Sequence, residues 1–268
     1  MNDASNPRPS TRTAAAGLLR ASGLTKTYAT GTSATTVLHG IDVDVAPGEF
    51  LTVMGPSGSG KSTLLYCLSG LDRPTEGAVA LEGTLLTSLD DESMARLRLT
   101  RMGFVFQQPY FLDSLSIRDN ILLPALKAAP SRAEERDVAE RVDALMERFG
   151  ITATGAHAIS AVSGGQLQRA ALCRALATRP SVLFADEPTG ALNHSMSLEV
   201  MSALTEAHRA GTTIVMVTHS PALATRADRI LYIADGTLTD TLTLGRWTEG
   251  EASSRENTVR DWLREKGY

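Results

Sequence analysis

Gly55-Pro56-Ser57-Gly58-Ser59-Gly60-Lys61-Ser62 fits the pattern G-x-x-x-x-G-K-[ST]. It follows an apolar, strand-like run over Glu49–Met54, and a short apolar segment over Ser62–Ser69 continues as a predicted helix. Glycines in such a turn let backbone N–H groups curl around an anion, and the N-terminus of the helix adds a favourable dipole. The placement between a strand and a helix therefore favours a phosphate-binding loop over a chance glycine-rich turn.

Two side chains at the end of this loop are expected to bind a nucleotide and its metal ion. Lys61, also a candidate catalytic residue, would reach the β- and γ-phosphates, and Ser62 would hold Mg²⁺ through its hydroxyl group. The candidate nucleotide-binding residues in this segment are Gly55, Pro56, Ser57, Gly58, Ser59, Gly60, Lys61, Ser62 and Thr63.

Val182-Leu183-Phe184-Ala185-Asp186-Glu187 supplies the acidic part of the same predicted site. Four apolar residues predict a buried strand, and two carboxylates follow at its carboxyl end, where ligands collect in open α/β sheets. Asp186 is placed to organise the Mg²⁺ shell, and Glu187 to polarise the water that attacks the γ-phosphorus. An acidic pair after a strand can also cap a helix, but the phosphate loop in the same chain favours the catalytic interpretation.

Val162-Ser163-Gly164-Gly165-Gln166 begins another predicted helix. Ser163 fits the N-cap position, and Gln166 three residues later completes a capping box. A cap alone leaves Gly164 and Gly165 unexplained, because both cost helix propensity, whereas a close approach of backbone amides to an anion requires small residues. Since the phosphate loop already binds one face of the nucleotide, we expect this second helix to serve another molecule's ATP.

Composition limits the other functions. The 268 residues carry a formal net charge of −4, which gives no electrostatic reason to expect nucleic acid as a partner. Cys67 and Cys173 fit a reducing compartment and are expected to be small buried residues. Residues 1–21 have the composition of a disordered tail. An apolar run of about 18 residues is missing, so a membrane role would require a partner.

Strand-like and helical segments alternate through most of the chain, which favours a parallel sheet with right-handed crossovers. A mostly helical segment is predicted to interrupt this alternation at about residues 112–176. The predicted fold is an α/β P-loop NTPase core with a RecA-like, mostly parallel sheet, an antiparallel β subdomain and a helical subdomain. The predicted strands are Thr36–Val45, Glu49–Met54, Ala78–Leu81, Val182–Ala185, Thr213–Thr218 and Ile230–Ala234.

From about Ala21 to Thr239 the chain resembles the ATP-binding subunit of an ABC transporter. The run Ser163-Gly164-Gly165-Gln166 matches the family's signature motif. The resemblance implies ATP and Mg²⁺ as ligands, ATP hydrolysis as the activity, and a head-to-tail homodimer in which each signature faces the γ-phosphate bound by the other subunit. It also implies an ATP-binding domain over residues 22–240 and a C-terminal extension over 241–268.

Three further site residues are implied by this resemblance. Tyr28 matches the aromatic residue that stacks on adenine, although a tyrosine near a strand end is more often part of the packing. Gln107 matches the glutamine that touches Mg²⁺ and the attacking water. His219 matches the switch histidine that contacts the γ-phosphate; a lone histidine at a strand end is usually structural, but the ordered set of motifs favours the catalytic role.

Two local features bear on the branch of the family. Asn193 stands in the dimer-bridging loop where many members carry aspartate; asparagine keeps the hydrogen-bonding capacity without the charge, so we expect altered coupling across the dimer. The run Glu187–Asn193, with Phe111–Ile117 and Val259–Leu263, is similar to the antimicrobial-peptide-resistance, bacitracin-efflux type. A related branch serves macrolide export, lipoprotein release and cell-division control.

The favoured hypothesis is an ATPase at the cytoplasmic face of the membrane, driving a separate permease in antimicrobial-peptide or macrolide export. Residues Gln108–Asn120, with the aromatic side chains of Tyr110 and Phe111, are the candidate docking surface, and local packing is an equal alternative for those aromatics. A membrane regulatory or lipoprotein-release complex would share every motif. A soluble ABC ATPase is less favoured, because the chain has a single motif set and no heptad array.

Overall fold

The computed structural model describes residues 17–31 and 33–268. In this part of the chain the strands are β1 Leu19–Thr30, β2 Ser33–Val45, β3 Phe50–Met54, β4 Glu76–Leu81, β5 Thr84–Leu85, β6 Met102–Phe106, β7 Val182–Asp186, β8 Thr213–Val217, β9 Arg229–Ala234 and β10 Thr237–Thr243. The α-helices are α1 Lys61–Leu68, α2 Asp91–Arg101, α3 Ile117–Ala128, α4 Arg132–Arg148, α5 Gly164–Ala177, α6 His194–Arg209, α7 Pro221–Ala224 and α8 Ala252–Glu265. Short 3₁₀ turns cover Leu86–Ser88, Thr152–Thr154, Ile159–Ala161 and Glu249–Glu251.

The larger sheet has the order β10-β9-β3-β8-β7-β6, and all its neighbours except β10 and β9 are parallel. Successive residues of its central strands pack into two different cores, one on each face. Leu183 and Ala185 join the core formed with α3 to α6 and α8, whereas Phe184 joins the core shared with α1, α2 and the smaller sheet. Because the strands are parallel, β3, β6, β7 and β8 all end at one edge of this sheet.

The smaller sheet is antiparallel, with the order β2-β1-β4-β5, and β1 has no counterpart among the predicted strands. Residues 1–16 of the predicted tail lie outside the described residues. Leu19–Ala21, which the sequence places in that tail, pair with Val43–Val45 and Val79–Leu81 instead. Their pairing and the burial of Leu19 and Ala21 explain the difference.

Helices α3, α4 and α5 pack on one another between β6 and β7 in the chain, where the helical subdomain is predicted. Ser131 caps α4, and Val138, Val142 and Met146 form the buried stripe of this helix. At the other end, β10 continues past the predicted boundary at residue 240 and α8 follows. Among the helices of the described ranges, none combines the length and apolar character needed to cross a membrane.

Both cysteines are buried free thiols, Cys67 in α1 and Cys173 in α5. Burial raises the pKa of each thiol to about 12. Neither is therefore a reactive thiolate at neutral pH, which agrees with the packing role expected for them.

Candidate nucleotide-binding site

The phosphate loop between β3 and α1 has a conformation that side chains would block. Gly55 has a φ of 150°, and a Cβ atom added to it would lie 1.9 Å from the carbonyl oxygen of Ile233. Gly60 has a φ of 97° and stands at the N-cap of α1 without a capping side chain. The first backbone N–H groups of α1 therefore lack helical acceptors and, with the loop amides, can receive phosphate oxygens.

Lys61, the first residue of α1, keeps its ammonium group inside the loop. Its Nζ atom donates to the carbonyl oxygens of Gly55 at 2.9 Å and Pro56 at 2.7 Å. Burial lowers the pKa of Lys61, whereas the negative charges of Glu187 and Asp186 oppose that shift. The cation therefore lies in the cradle itself, with two carboxylates near enough to influence it.

Asp186 ends β7 with a carboxylate that two hydroxyl groups hold. Ser62 Oγ donates to Oδ1 at 2.9 Å, and Tyr66 Oη donates to Oδ2 at 2.7 Å. Tyr66 lies one helical turn after Ser62, so both residues are on the same face of α1. The serine hydroxyl and the carboxylate form a set of hard oxygen donors, which is the ligand type that Mg²⁺ prefers. These two residues fit the metal role predicted for them.

Glu187 follows in a left-handed backbone conformation, with a φ of 46°. For a residue other than glycine this costs roughly 1–2 kcal/mol, and such strain concentrates at functional sites. The Glu187 N–H donates to the carbonyl of Val217 at 3.0 Å, which fixes the turn. Its Oε2 atom lies 3.0 Å from Nδ1 of His219, whose side chain is 67% exposed. The carboxylate and imidazole thus form a pair at an open face.

Gln107 directly follows β6 at the same edge of the sheet. Its side chain lies against Gly190, because a Cβ atom added to that glycine would come within 2.9 Å of Gln107 Nε2. The preceding strand end is held by α5, since the buried Gln168 donates from Nε2 to the carbonyl of Phe106 at 2.8 Å. Gln107 therefore lies beside the turn that follows Glu187, with its backbone tied to α5.

Tyr28, near the end of β1, is anchored by its hydroxyl group and leaves 39% of its surface exposed. The hydroxyl donates to Asp72 Oδ2 at 2.7 Å, and Lys26 Nζ lies 4.8 Å from the ring centroid. Burial raises the pKa of Tyr28 to about 12, Asp72 adds to the effect, and a hydrogen bond with Thr63 opposes it. The ring is thus held beside the first turn of α1, with exposed surface on which a base could stack.

The turn Ser163–Gln166 forms the expected capping box at the start of α5. Ser163 Oγ accepts from the Gln166 N–H at 3.3 Å, and Gln166 Oε1 accepts from the Ser163 N–H at 2.9 Å. Gly164 is exposed and Gly165 is buried against Met196 of α6. Within residues 17–31 and 33–268, no hydrogen bond or ion pair joins this turn to the phosphate loop. In the described part of the chain, the turn is therefore not bonded to the chain's own phosphate loop.

Asn193 caps α6 through its side chain. Its Oδ1 atom accepts from the Met196 N–H at 3.0 Å, and its carbonyl oxygen accepts from Ser197 Oγ at 2.9 Å. Asparagine and aspartate are comparably good at this position. The amide is therefore compatible with the helix that follows, and its effect on coupling across a dimer stays a prediction.

The site also uses Tyr66 and Gln168, which the sequence does not single out. Tyr66 stands four residues after Ser62 on a predicted helix, and this spacing is the signal that could have placed it beside Asp186. Gln168 offers no comparable signal, because its acceptor, the carbonyl of Phe106, is 62 residues away in the chain.

A phosphate loop, an acidic strand end and an exposed histidine at one edge of a mostly parallel sheet define a P-loop NTPase. The turn Ser163–Gln166, which begins α5 with a capping box, matches the signature predicted for the ATP-binding cassettes. A family model described as "ABC transporter" matches residues 38–190, which is more than half of the chain. The chain belongs to the ABC transporter family.

Individual relatives agree with this assignment. The lipoprotein-releasing system ATP-binding protein LolD of Anaeromyxobacter dehalogenans (strain 2CP-C) is 46% identical over 216 residues, covering 80% of this chain and 90% of that protein. The macrolide export ATP-binding/permease protein MacB of Rhodopseudomonas palustris (strain BisB18) is 42% identical over 214 residues, covering 80% of this chain and 32% of that protein. The chain thus spans about a third of the length of this second relative.

A solved structure gives the same result for the fold. The dimeric post-hydrolysis state of the ATP-binding cassette MJ0796 bound to ADP and Pi matches with a TM-score of 0.75 and 35% identity, covering 85% of this chain and 100% of that one. The predicted family and fold class are therefore confirmed, and these relatives match the macrolide-export/lipoprotein-release branch.

Proposed function

We propose that this chain hydrolyses ATP with Mg²⁺ as one half of a homodimer that encloses two ATP molecules. The observation that carries the proposal is the grouping of Ser62 with Asp186 and of Glu187 with His219 at one edge of the sheet, with no hydrogen bond in the described residues from Ser163–Gln166 to the phosphate loop. A nucleotide held by the phosphate loop would leave its other face to the turn of a second copy. The related cassette MJ0796 is a dimer with ADP and Pi, which supports this arrangement.

In this function each side chain has one task. Lys61 stabilises charge on the β- and γ-phosphates, and Glu187 accepts a proton from the attacking water. His219 has its Nδ1 atom on Glu187, which leaves Nε2 to contact the γ-phosphate. Ser62 and Asp186 would hold Mg²⁺, which when bound withdraws charge from the phosphate oxygens.

Glu187→Gln tests the proposal, with Glu206→Gln as the matched control. Because the amide keeps the shape of the side chain but accepts no proton, we expect kcat to fall by about 10²–10⁴-fold and an ATP-bound dimer to accumulate. Glu206 pairs with Arg148 at 2.6 Å on the surface, so its variant should match the wild type. Phosphate release measures turnover, and light scattering measures the dimer. Full turnover in Glu187→Gln would refute the assignment of the base.

We propose a separate membrane permease as the partner, docked on Gln108–Asn120, which would hold the chain at the cytoplasmic face of the membrane. Tyr110 and Leu112 are 71% and 53% exposed, and Tyr110 borders a mostly apolar cavity of about 450 Å³. Phe111 is half-buried instead, with the Arg174 guanidinium 4.5 Å from its ring centroid. Local packing therefore accounts for Phe111, and exposed apolar side chains beside a cavity suit an inserted segment of a partner.

Tyr110→Ala tests this docking surface. The control is Leu85→Ala, because Leu85 is 44% exposed and lies in β5 of the smaller sheet. Loss of an interface aromatic should reduce permease-stimulated ATPase about fivefold or more and leave basal ATPase unchanged. Both rates are measured on the same preparations, with and without the permease. Equal loss of both rates would argue against docking at Tyr110.

For the cargo we propose antimicrobial-peptide or macrolide export. A regulatory or lipoprotein-release complex is the second candidate, favoured by the 46% identity to a lipoprotein-releasing ATP-binding protein. Purification from native membranes with identification of the bound permease separates the two. A permease with a large extracellular domain supports export, and a peptidoglycan-hydrolase partner supports the regulatory complex.

A further inference from the structure

Helix α8 is fastened to the core beside the histidine of the candidate site. Arg255, only 6% exposed, donates from Nη2 to the carbonyl oxygen of Ala227 at 2.7 Å. The side chains of Val259 and Leu263 are buried in the core that α3 to α6 form on one face of the large sheet. The helix also packs against α7, which begins two residues after His219. The segment is therefore an ordered part of the fold.

The end of α8 and the residues that follow it pack against β9 and β10 of the large sheet. Trp262 Nε1 donates to Asp240 Oδ2 at 3.1 Å, and Lys266 forms an ion pair with the same carboxylate. The rings of Trp262 and Tyr268 both meet Tyr232 edge-on, with centroid distances of 5.9 Å and 6.3 Å. These contacts fix the positions of Lys266 and Tyr268.

Tyr268 lies beside the candidate site in this position. Tyr268 Oη donates to the backbone carbonyl oxygen of His219 at 2.8 Å, and His219 Nδ1 lies 3.0 Å from Glu187 Oε2. Burial raises the pKa of Tyr268, and the negative charge of Glu187 adds to the shift. The phenol therefore stays protonated at neutral pH and acts as a donor close to the Glu187 carboxylate.

We propose that Tyr268 is a positioning residue for ATP hydrolysis. Its hydrogen bond fixes the main chain of His219 and thereby holds the exposed imidazole against Glu187. The inference rests on the proposed function, because it requires His219 and Glu187 to act on ATP. The role of α8 in this proposal is to hold Tyr268 in place, so that its hydroxyl group lies beside His219 of the candidate site.

Tyr268→Phe in the full chain removes only the hydroxyl group, and Arg264→Gln is the matched control. Arg264 pairs with Asp261 at 3.1 Å on the exposed surface of the same helix. Loss of one positioning hydrogen bond should lower kcat about three- to tenfold in Tyr268→Phe. KM for ATP should stay within about twofold, because ground-state binding is not affected. Arg264→Gln should keep both values.

A double-mutant cycle with His219→Ala separates positioning from a general structural effect. If Tyr268 acts through His219, adding Tyr268→Phe to His219→Ala should leave the residual turnover unchanged. The same three- to tenfold loss in both backgrounds would overturn the inference. Wild-type turnover of Tyr268→Phe beside an inactive His219→Ala would overturn it while sparing the proposed function. Wild-type turnover of His219→Ala would refute the proposed role of His219 and the inference together.

Discussion

Tyr66→Phe removes one of the two hydroxyl groups that hold the Asp186 carboxylate. Asp186 is 8% exposed, and Tyr66 Oη donates to its Oδ2 atom at 2.7 Å while Ser62 occupies Oδ1. Burial raises the pKa of Tyr66, and its hydrogen bond to Asp186 adds to the shift, so the phenol is a neutral donor to a charged acceptor. Phenylalanine keeps the ring and deletes the donor, leaving Oδ2 without this partner.

The expected cost follows from the charge of the acceptor. A hydrogen bond to a charged group contributes about 1.5–3 kcal/mol to stability, more than one between neutral groups. For a chain of this size that corresponds to a fall in Tm of about 3–6 °C for the nucleotide-free protein. In an Asp186→Asn background the acceptor is neutral, so Tyr66→Phe should cost about 0.5–1.5 kcal/mol there.

Thermal unfolding of the four proteins, each without nucleotide, measures both quantities. Tyr110→Phe is the control, because Tyr110 is 71% exposed and its variant should melt within about 1 °C of the wild type. A wild-type melting temperature for Tyr66→Phe would show that this hydrogen bond does not stabilise the fold. An equal cost of Tyr66→Phe in the Asp186→Asn background and in the wild type would show that the charge of Asp186 has no part in the effect.

Three further predictions concern binding, assembly and pH. Lys61→Ala should weaken ATP binding about 10–100-fold, measured by calorimetry, because the phosphates lose a charged donor. Ser163→Arg should abolish ATP-driven dimerisation and leave monomer nucleotide binding within about threefold; Ser131→Arg loses a similar cap of about 1 kcal/mol and should still dimerise. The third prediction concerns Asp228. Burial alone would raise the pKa of Asp228, but the hydrogen bond from His208 helps to lower this pKa below its unfolded value of about 3.9. Its stabilising effect is therefore present above about pH 4 and lost as pH falls through the folded pKa, so Asp228→Asn should be less stable than the wild type at pH 7 and the gap should close on acidification. A constant gap between pH 3 and 7 in urea unfolding would contradict this.

The parts of the fold that the sequence predicted are those where chemistry or burial dictates residue type. The phosphate loop needs its glycines and Lys61, and the strands β7, β8 and β9 each contain a run of at least four mostly apolar, buried residues. The strand β1 was missed because its pairing shifts register at several places and polar residues interrupt the alternation. Helix α2 was missed because Met94 is its one buried residue, too little for an apolar stripe.

The site was predictable to a different extent. Asp186 and Glu187 could be read from local sequence, because they follow a buried strand directly. Gln107 and His219 could not, since their roles depend on β6 and β8 ending at the same edge as β7, and only the family resemblance suggested them. Tyr268 shows the limit of both approaches, because its contact with His219 spans 49 residues and arises from the packing of α8.

The bond from Gln168 to the carbonyl of Phe106 has a consequence for the proposed dimer. Helix α5 begins at the turn Ser163–Gln166, which would face the partner's ATP, and the same helix holds the strand end that precedes Gln107, in the chain's own site. In the proposed dimer, α5 would therefore connect the partner's nucleotide to the strand end beside the chain's own site. Occupancy of either site would then change the affinity of the other by an equal factor, as reciprocity of linked equilibria requires. Replacing Gln168 should make the two sites bind and hydrolyse ATP independently of each other.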